Sequence, residues 1–188
     1  MIGTWIRLDP LERDDVPGLA AAAVDGSLWK STVTVIPTPE KMPAFVEQRL
    51  ADVGTGAWQA FTVRRLADDR IVGLTNYLHI DEVNRRREIG GTWYAASAQR
   101  SAVNSEAKLL LLDHAFGTLD CIAVELRTHS RNAASRAAIE RLGARQDGIL
   151  RHHMVMPDGS LRDTVVYSIL AGEWPALRER LVARLAAR

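Results

Sequence analysis

The stretch Gln99-Arg100-Ser101-Ala102-Val103-Asn104-Ser105-Glu106-Ala107-Lys108 runs from a small polar loop into an apolar-periodic helix, directly after a strand-like segment at 87–94. A strand, a short polar loop and a helix start together make an anion-binding unit. The first turn of a helix presents about four amide N–H groups without intrahelical partners and roughly half a positive charge, which suits a phosphate or pyrophosphate. Small side chains at 101, 102 and 105 let such a ligand approach the backbone. Arg100 and Lys108 either add full charges beside it or are ordinary solvated surface residues.

Toward the C-terminus, the helix predicted over 105–116 carries Leu109 to Leu112 and Phe116, an apolar face wide enough to pack on a sheet. A strand is expected at 122–128, then a helix at 133–142 that opens on Asn132 and stops at Gly143. Segments 146–156 and 164–170 read as a hairpin turning at Pro157-Asp158-Gly159, and 173–187 as a charged amphipathic helix. Toward the N-terminus lie strands at 58–64 and 71–79, joined by the polar turn Ala67-Asp68-Asp69-Arg70. Helices at 14–24 and 40–51 flank Pro37 and Pro39, and a short strand is expected at 5–8. These elements predict one α/β domain over 1–188, with neither internal repeat nor linker.

The bulk numbers remove several classes of function. With 24 basic and 23 acidic residues and a net charge of +1, no overall field draws the chain to nucleic acid or an anionic membrane. A single cysteine, Cys121, excludes an internal disulfide framework and a cysteine-based metal cluster. No run reaches transmembrane length, and Met1 to Arg7 has no signal-peptide apolar core, so a cytoplasmic location is expected. There is no Gly-x-Gly-x-x-Gly dinucleotide turn. His152-His153 is not read as a metal site, because adjacent residues on a strand point to opposite faces.

Two further constellations carry chemistry. Gly90-Gly91 interrupts a strand, which means either a bulge that splays it from the 122–128 strand or simple relief of crowding under a helix. A splay would admit an extended ligand with amide groups, such as a pantetheine arm. Asn132 is a good N-cap, and Ser135, one turn later, either meets a thiol arriving between the strands or is a surface serine.

Taken together, Gly90-Gly91, the 99–108 stretch, Asn132-x-x-Ser135 and Leu142-Gly143-Ala144 resemble the GCN5-related N-acetyltransferases (GNAT), in particular their RimJ/RimL-like, ribosomal-protein N-terminal branch. The resemblance covers nearly the whole chain and is most specific from Glu88 through His152. It implies a mixed, mostly antiparallel sheet of about seven strands, splayed at the middle and flanked by helices on both faces. It implies acetyl-CoA, or another acyl-CoA such as succinyl-CoA, as co-substrate, with no metal. Position by position, it implies that Gln99, Arg100, Ser101, Ala102, Val103, Asn104 and Ser105 hold the pyrophosphate, that Asn132 binds the pantetheine region, and that Ser135 faces the thioester sulfur. Many relatives have a tyrosine near this helix to protonate the thiolate. Between Ser130 and Leu142 this chain has none, so Ser135 takes that role. Ala102 stands where the family commonly has glycine, and a positive φ there would strain the loop by about 1 kcal/mol.

Direct attack by an amine in a ternary complex needs a neutral nucleophile, a polarised carbonyl and a proton for the leaving thiolate. Glu88 is the candidate base, the alternative being an ion pair with Arg86 or Arg87; His79, Tyr94 and Tyr167 are lesser candidates. Trp29, Trp58, Tyr77 and Trp93 are expected to line the acceptor site, or else to be core. The expected acceptor is a primary amine, on a protein N-terminus or a small molecule. A non-catalytic acyl-CoA-binding module is the alternative, and a homodimer through the last hairpin or helix is a further expectation.

Overall fold

The computed structural model describes residues 1–187, built around one seven-stranded sheet ordered β1-β2-β3-β4-β5-β7-β6. In chain order the elements are β1 (Ile6–Pro10), α1 (Val16–Val24), α2 (Met42–Gly54), β2 (Trp58–Arg65), β3 (Ile71–Asp81) and β4 (Arg86–Tyr94). After them come α3 (Val103–Gly117), β5 (Ala123–His129), α4 (Ala133–Leu142), β6 (Arg145–Val155), β7 (Leu161–Leu170) and α5 (Trp174–Ala186). Every neighbouring pair is antiparallel except β4 and β5, which are parallel. The expected mixed sheet with helices on both faces is what the structure shows.

Local chemistry explains the helix limits. Pro17, Pro43 and Pro175 sit in the first turns of α1, α2 and α5, where a missing N–H costs nothing. Asn132 Oδ1 accepts the Ser135 amide at 3.0 Å, and Gly143 ends α4 at φ +95 with no room for a Cβ against Leu177. The helix expected at 105 begins two residues earlier, because Ser101 Oγ takes the Val103 amide at 3.2 Å.

On one face of the sheet, α3 packs beneath β3, where Tyr77 gives its hydroxyl proton to the Leu111 carbonyl. The α4 helix contacts β7 through Tyr167 and Glu140, and α5 joins α3 through a bond from Trp174 Nε1 to Asp113 Oδ1 at 3.0 Å. On the other face, Arg49 of α2 stacks over Trp58 at 4.0 Å, and α1 lies against Ile71. That second face is left open beside β5, β7 and β6, where a cleft of about 610 Å³ is lined by Arg86, Glu125, Arg127, Asp147, Val166 and Ser168, among others.

Candidate active site

The parallel ladder of β4 and β5 is short. It runs from Arg86↔Ala123 to Glu88↔Glu125 and stops, while the strands continue to Tyr94 and His129. Beyond Glu88 the two facing edges therefore part into a V. On the other side of β4, Gly91 and Thr92 together oppose the single residue Thr75, and Gly91 sits at φ +56. The doublet Gly90-Gly91 is thus a bulge, with a left-handed residue that glycine adopts without strain. Asn76, fully buried, clamps it by donating from Nδ2 to the Gly90 carbonyl at 3.0 Å and the Gly91 carbonyl at 3.4 Å.

Pairing places Trp58, Leu78, Glu88, Glu125 and Ser168 in one cross-strand row on the face that opens into the cleft. Glu88 is only 6% exposed. Its Oε2 lies 2.9 Å from His79 Nδ1 and 3.3 Å from Arg127 Nε. Its Oε1 lies over Gly90, where any Cβ would stand 2.6 Å away, so the glycine makes room for the carboxylate. Burial raises the Glu88 pKa above the usual carboxylate range, and the His79 hydrogen bond and the Arg127 charge act against that rise. The His79 side chain is 58% exposed and so links this buried acid to water. Glu125 accepts from Arg86 at 2.6 Å and Arg127 at 2.8 Å, which holds Arg127 over the site. The alternative partners weighed for Glu88 are occupied elsewhere, Arg86 by Glu125 and Arg87 over the Tyr77 ring.

At the wide end of the V stand the 99–105 loop and the start of α4. Gln99 Nε2 ties the loop to the Tyr94 carbonyl at 2.9 Å, and Ser101 Oγ donates to the Ala98 carbonyl at 2.6 Å. Ala102 has φ −68, an ordinary helical value, so the strain expected there is absent. The positive φ falls on Arg100, at +56. A left-handed residue within such a turn swings successive N–H groups to one side, which favours an anion. Val103, Asn104 and Ser105 form the first turn of α3, and Val103 is buried as its apolar anchor. Asn132 spends its carbonyl oxygen on the cap, while its amide nitrogen and the half-buried Ser135 lie at the β5 side of the opening.

Some expected residues lie elsewhere. Tyr77 is fully buried with its hydroxyl committed to α3, and Trp93 is 5% exposed within the core, so neither lines the acceptor face. Expected either to line the acceptor site or to be core, both are core because β3 and the end of β4 are covered on both sides. Trp58 shares the Glu88 row and stays half-buried, and Trp29 stands half-buried in the turn Leu28–Lys30, whose neighbour Asp25 holds the Ala96 and Ser97 amides. Lys108 is not a surface residue. It is 6% exposed, its Nζ bonded to Thr92 Oγ1 at 3.3 Å. Asn76 and Arg127 escaped the sequence reading. The Glu125-x-Arg127 alternation puts both on one face, but only the β4·β5 register brings them to Glu88.

Residues 6–145 match the family model described as an acetyltransferase (GNAT) domain. The chain belongs to the GNAT family. It is 32% identical over 109 residues to "Putative ribosomal N-acetyltransferase YdaF" of Bacillus subtilis (strain 168), and the match spans 58% of each protein. A GCN5-related N-acetyltransferase from Brucella melitensis superposes with a TM-score of 0.86 at 29% identity, covering 98% of this chain and 84% of that one. Mycobacterium smegmatis RimJ, in complex with CoA-disulfide, has the same fold at a TM-score of 0.81 and 22% identity, over 95% of this chain and 88% of its own. The V between β4 and β5 thus lies within a sheet of the GNAT fold.

Proposed function

We propose that this GNAT protein is an acyl-CoA-dependent N-acyltransferase that moves an acetyl group from acetyl-CoA to a primary amine by direct attack in a ternary complex. The observation that carries this reading is the Glu88 carboxylate, buried over Gly90 where β4 and β5 part. Acetyl-CoA lies in the V, its pyrophosphate on the backbone amides of 100–105 and its pantetheine between the unpaired strand edges, reached by Asn132. Ser135 gives a hydrogen bond to the sulfur. The amine enters from the opposite face, past Trp58 and Trp29, and loses its proton to Glu88, which passes it through His79 to water.

Magnitudes favour an α-amine. Exposing the free base of a lysine near neutrality costs about 4 kcal/mol, whereas an α-amino group costs about 1. A buried carboxylate with a raised pKa is a sufficient base for the second. The kinship with a protein named for ribosomal N-acetylation points the same way, toward a protein or peptide N-terminus. The binding-module alternative rested on the Ala102 departure and on the missing tyrosine, and the helical φ at Ala102 removes the first of these motives.

The test is calorimetric titration of acetyl-CoA, succinyl-CoA and CoA into the wild type and Ser101→Glu, followed by an amine screen. The new carboxylate stays at the α3 start, where it favours the helix dipole but competes with the pyrophosphate. Binding that Ser101→Glu loses, with turnover of peptide N-termini in preference to lysine side chains, is expected. A folded wild type that binds no CoA species contradicts the reading.

A further inference from the structure

Among the described residues, Lys108 is a buried cation whose one partner is a hydroxyl. None of the carboxylates among the described residues lies within ion-pair distance of it, and its Nζ donates to Thr92 Oγ1 at 3.3 Å, which in turn shares a proton with Thr75 Oγ1 at 2.7 Å. The charged groups on the same face are engaged elsewhere. Glu106 accepts the amides of Thr4, Trp5 and Ile6, Arg87 stacks over Tyr77, and His114 leans on that same ring. A lysine so buried is costly unless its charge is used.

Its place in the fold suggests the use. Thr92 belongs to the bulge and lies on the α3 side of β4, past Glu88 toward the wide end of the V. A thioester whose carbonyl reaches the bulge amides brings its sulfur, the next atom toward the pyrophosphate, alongside Gly91 and Thr92. The usual proton donor for such a thiolate is missing. Tyr77 and Tyr167 spend their hydroxyl protons on the Leu111 carbonyl and Glu140 Oε1, and Tyr94 is buried, which pushes its hydroxyl far above the ordinary tyrosine value. Ser135, an alcohol, can orient a sulfur but is a weak acid.

We propose that Lys108 is the general acid of the transfer, giving its ammonium proton to the departing CoA sulfur directly or through the Thr92 hydroxyl. This rests on the N-acyltransferase reading above. The amine nitrogen forms the C–N bond, the C–S bond breaks with its electron pair on sulfur, and one Lys108 proton completes the CoA thiol. The proton lost by the amine leaves through Glu88 and His79, and water reprotonates Lys108, so the protons balance. Acid and base thus act from opposite faces of β4. Burial holds the Lys108 pKa down at about 8, close to that of a thiol, which suits a donor to sulfur.

The experiment pairs kinetics with a titration that needs no turnover. Lys108→Met is expected to lower kcat about 100-fold while leaving the acetyl-CoA Kd within about threefold, and the wild-type kcat is expected to fall as pH rises through about 8. That falling limb disappears in Lys108→Met. Independently, CoA bound to the wild type, followed by its ultraviolet thiolate absorbance, should ionise at lower pH than CoA bound to Lys108→Met. Equal thiol titration in the two proteins, or a variant kcat within about threefold of wild type, overturns the proposal. Loss of CoA affinity in step with kcat also overturns it, making Lys108 a binding residue. A wild type that acylates no amine, yet shows the thiol difference, defeats the transferase reading and leaves the placement of Lys108 beside sulfur standing.

Discussion

Glu106 and Lys108 are two residues apart on α3, and both are buried, at 3% and 6% exposure, yet the fold treats them in opposite ways. Glu106 is saturated: its two oxygens take three backbone amides of the chain start, at 2.6, 2.8 and 2.9 Å, and so fasten β1 beneath α3. Lys108 has one neutral hydroxyl. A buried charge with all its bonds made is a rivet, whereas one left short of partners is a cost that folding alone does not explain. Across β4, Glu88 falls between them. It is buried and held by His79 and Arg127 through Oε2, with Oε1 over Gly90 at the parting of the strands.

Substitution should separate the rivet from the unsatisfied charge by sign. Glu106→Ala leaves three amides without their acceptor, that of Ile6 buried and those of Thr4 and Trp5 partly so, and is expected to cost about 3 kcal/mol of stability, read from the midpoint of urea unfolding. A loss below about 1 kcal/mol would show that the chain start is held by packing instead. Lys108→Met should do the reverse. The lysine pKa is lowered from 10.5 to about 8 by desolvation, so its charged form is penalised in the folded state and the penalty is fully present below pH 8. The unfolded chain binds the extra proton between those values, so this contribution makes the wild type more stable as pH rises through that window. Lys108→Met is therefore expected to stabilise the protein by about 3 kcal/mol near neutrality, with the gain shrinking toward pH 10. A pH-independent difference would contradict a buried, charged lysine. Smaller still is Asn132→Ala, which removes one cap bond and should cost about 1 kcal/mol in a thermal melt. A much larger loss would mean that the α4 start does more than cap.

Much of the frame was legible in the sequence because its signals are local. The Asn132 cap, the Gly143 stop and the Gly90-Gly91 break each depend on chemistry within a few residues, and each appears in the structure. The site was legible only in part. In the sequence Lys108 reads as a charge beside the anion site or as a solvated surface residue, although its spacing from Ala107, Leu111, Leu112 and Ala115 already places it on the buried face of α3. Whether Tyr77 and Trp93 line the acceptor site or belong to the core stays open there, because an aromatic suits either place and only the sheet's covering on both faces, as in the middle of β3, decides it. The Glu88, His79 and Arg127 cluster joins three strands, so it needed a register that pairing across the V alone supplies.

The central claim is that Glu88 is the base of an amine acylation carried out at the parting of β4 and β5. Steady-state kinetics of Glu88→Gln on a peptide N-terminus, with acetyl-CoA binding measured alongside, tests it most directly. Glutamine keeps the shape and the contact to His79 but cannot take the proton, so kcat should fall about 100-fold or more with the acetyl-CoA Kd unchanged. A kcat within about threefold of wild type at every pH would contradict it, and Glu88 would then be a structural partner of Arg127.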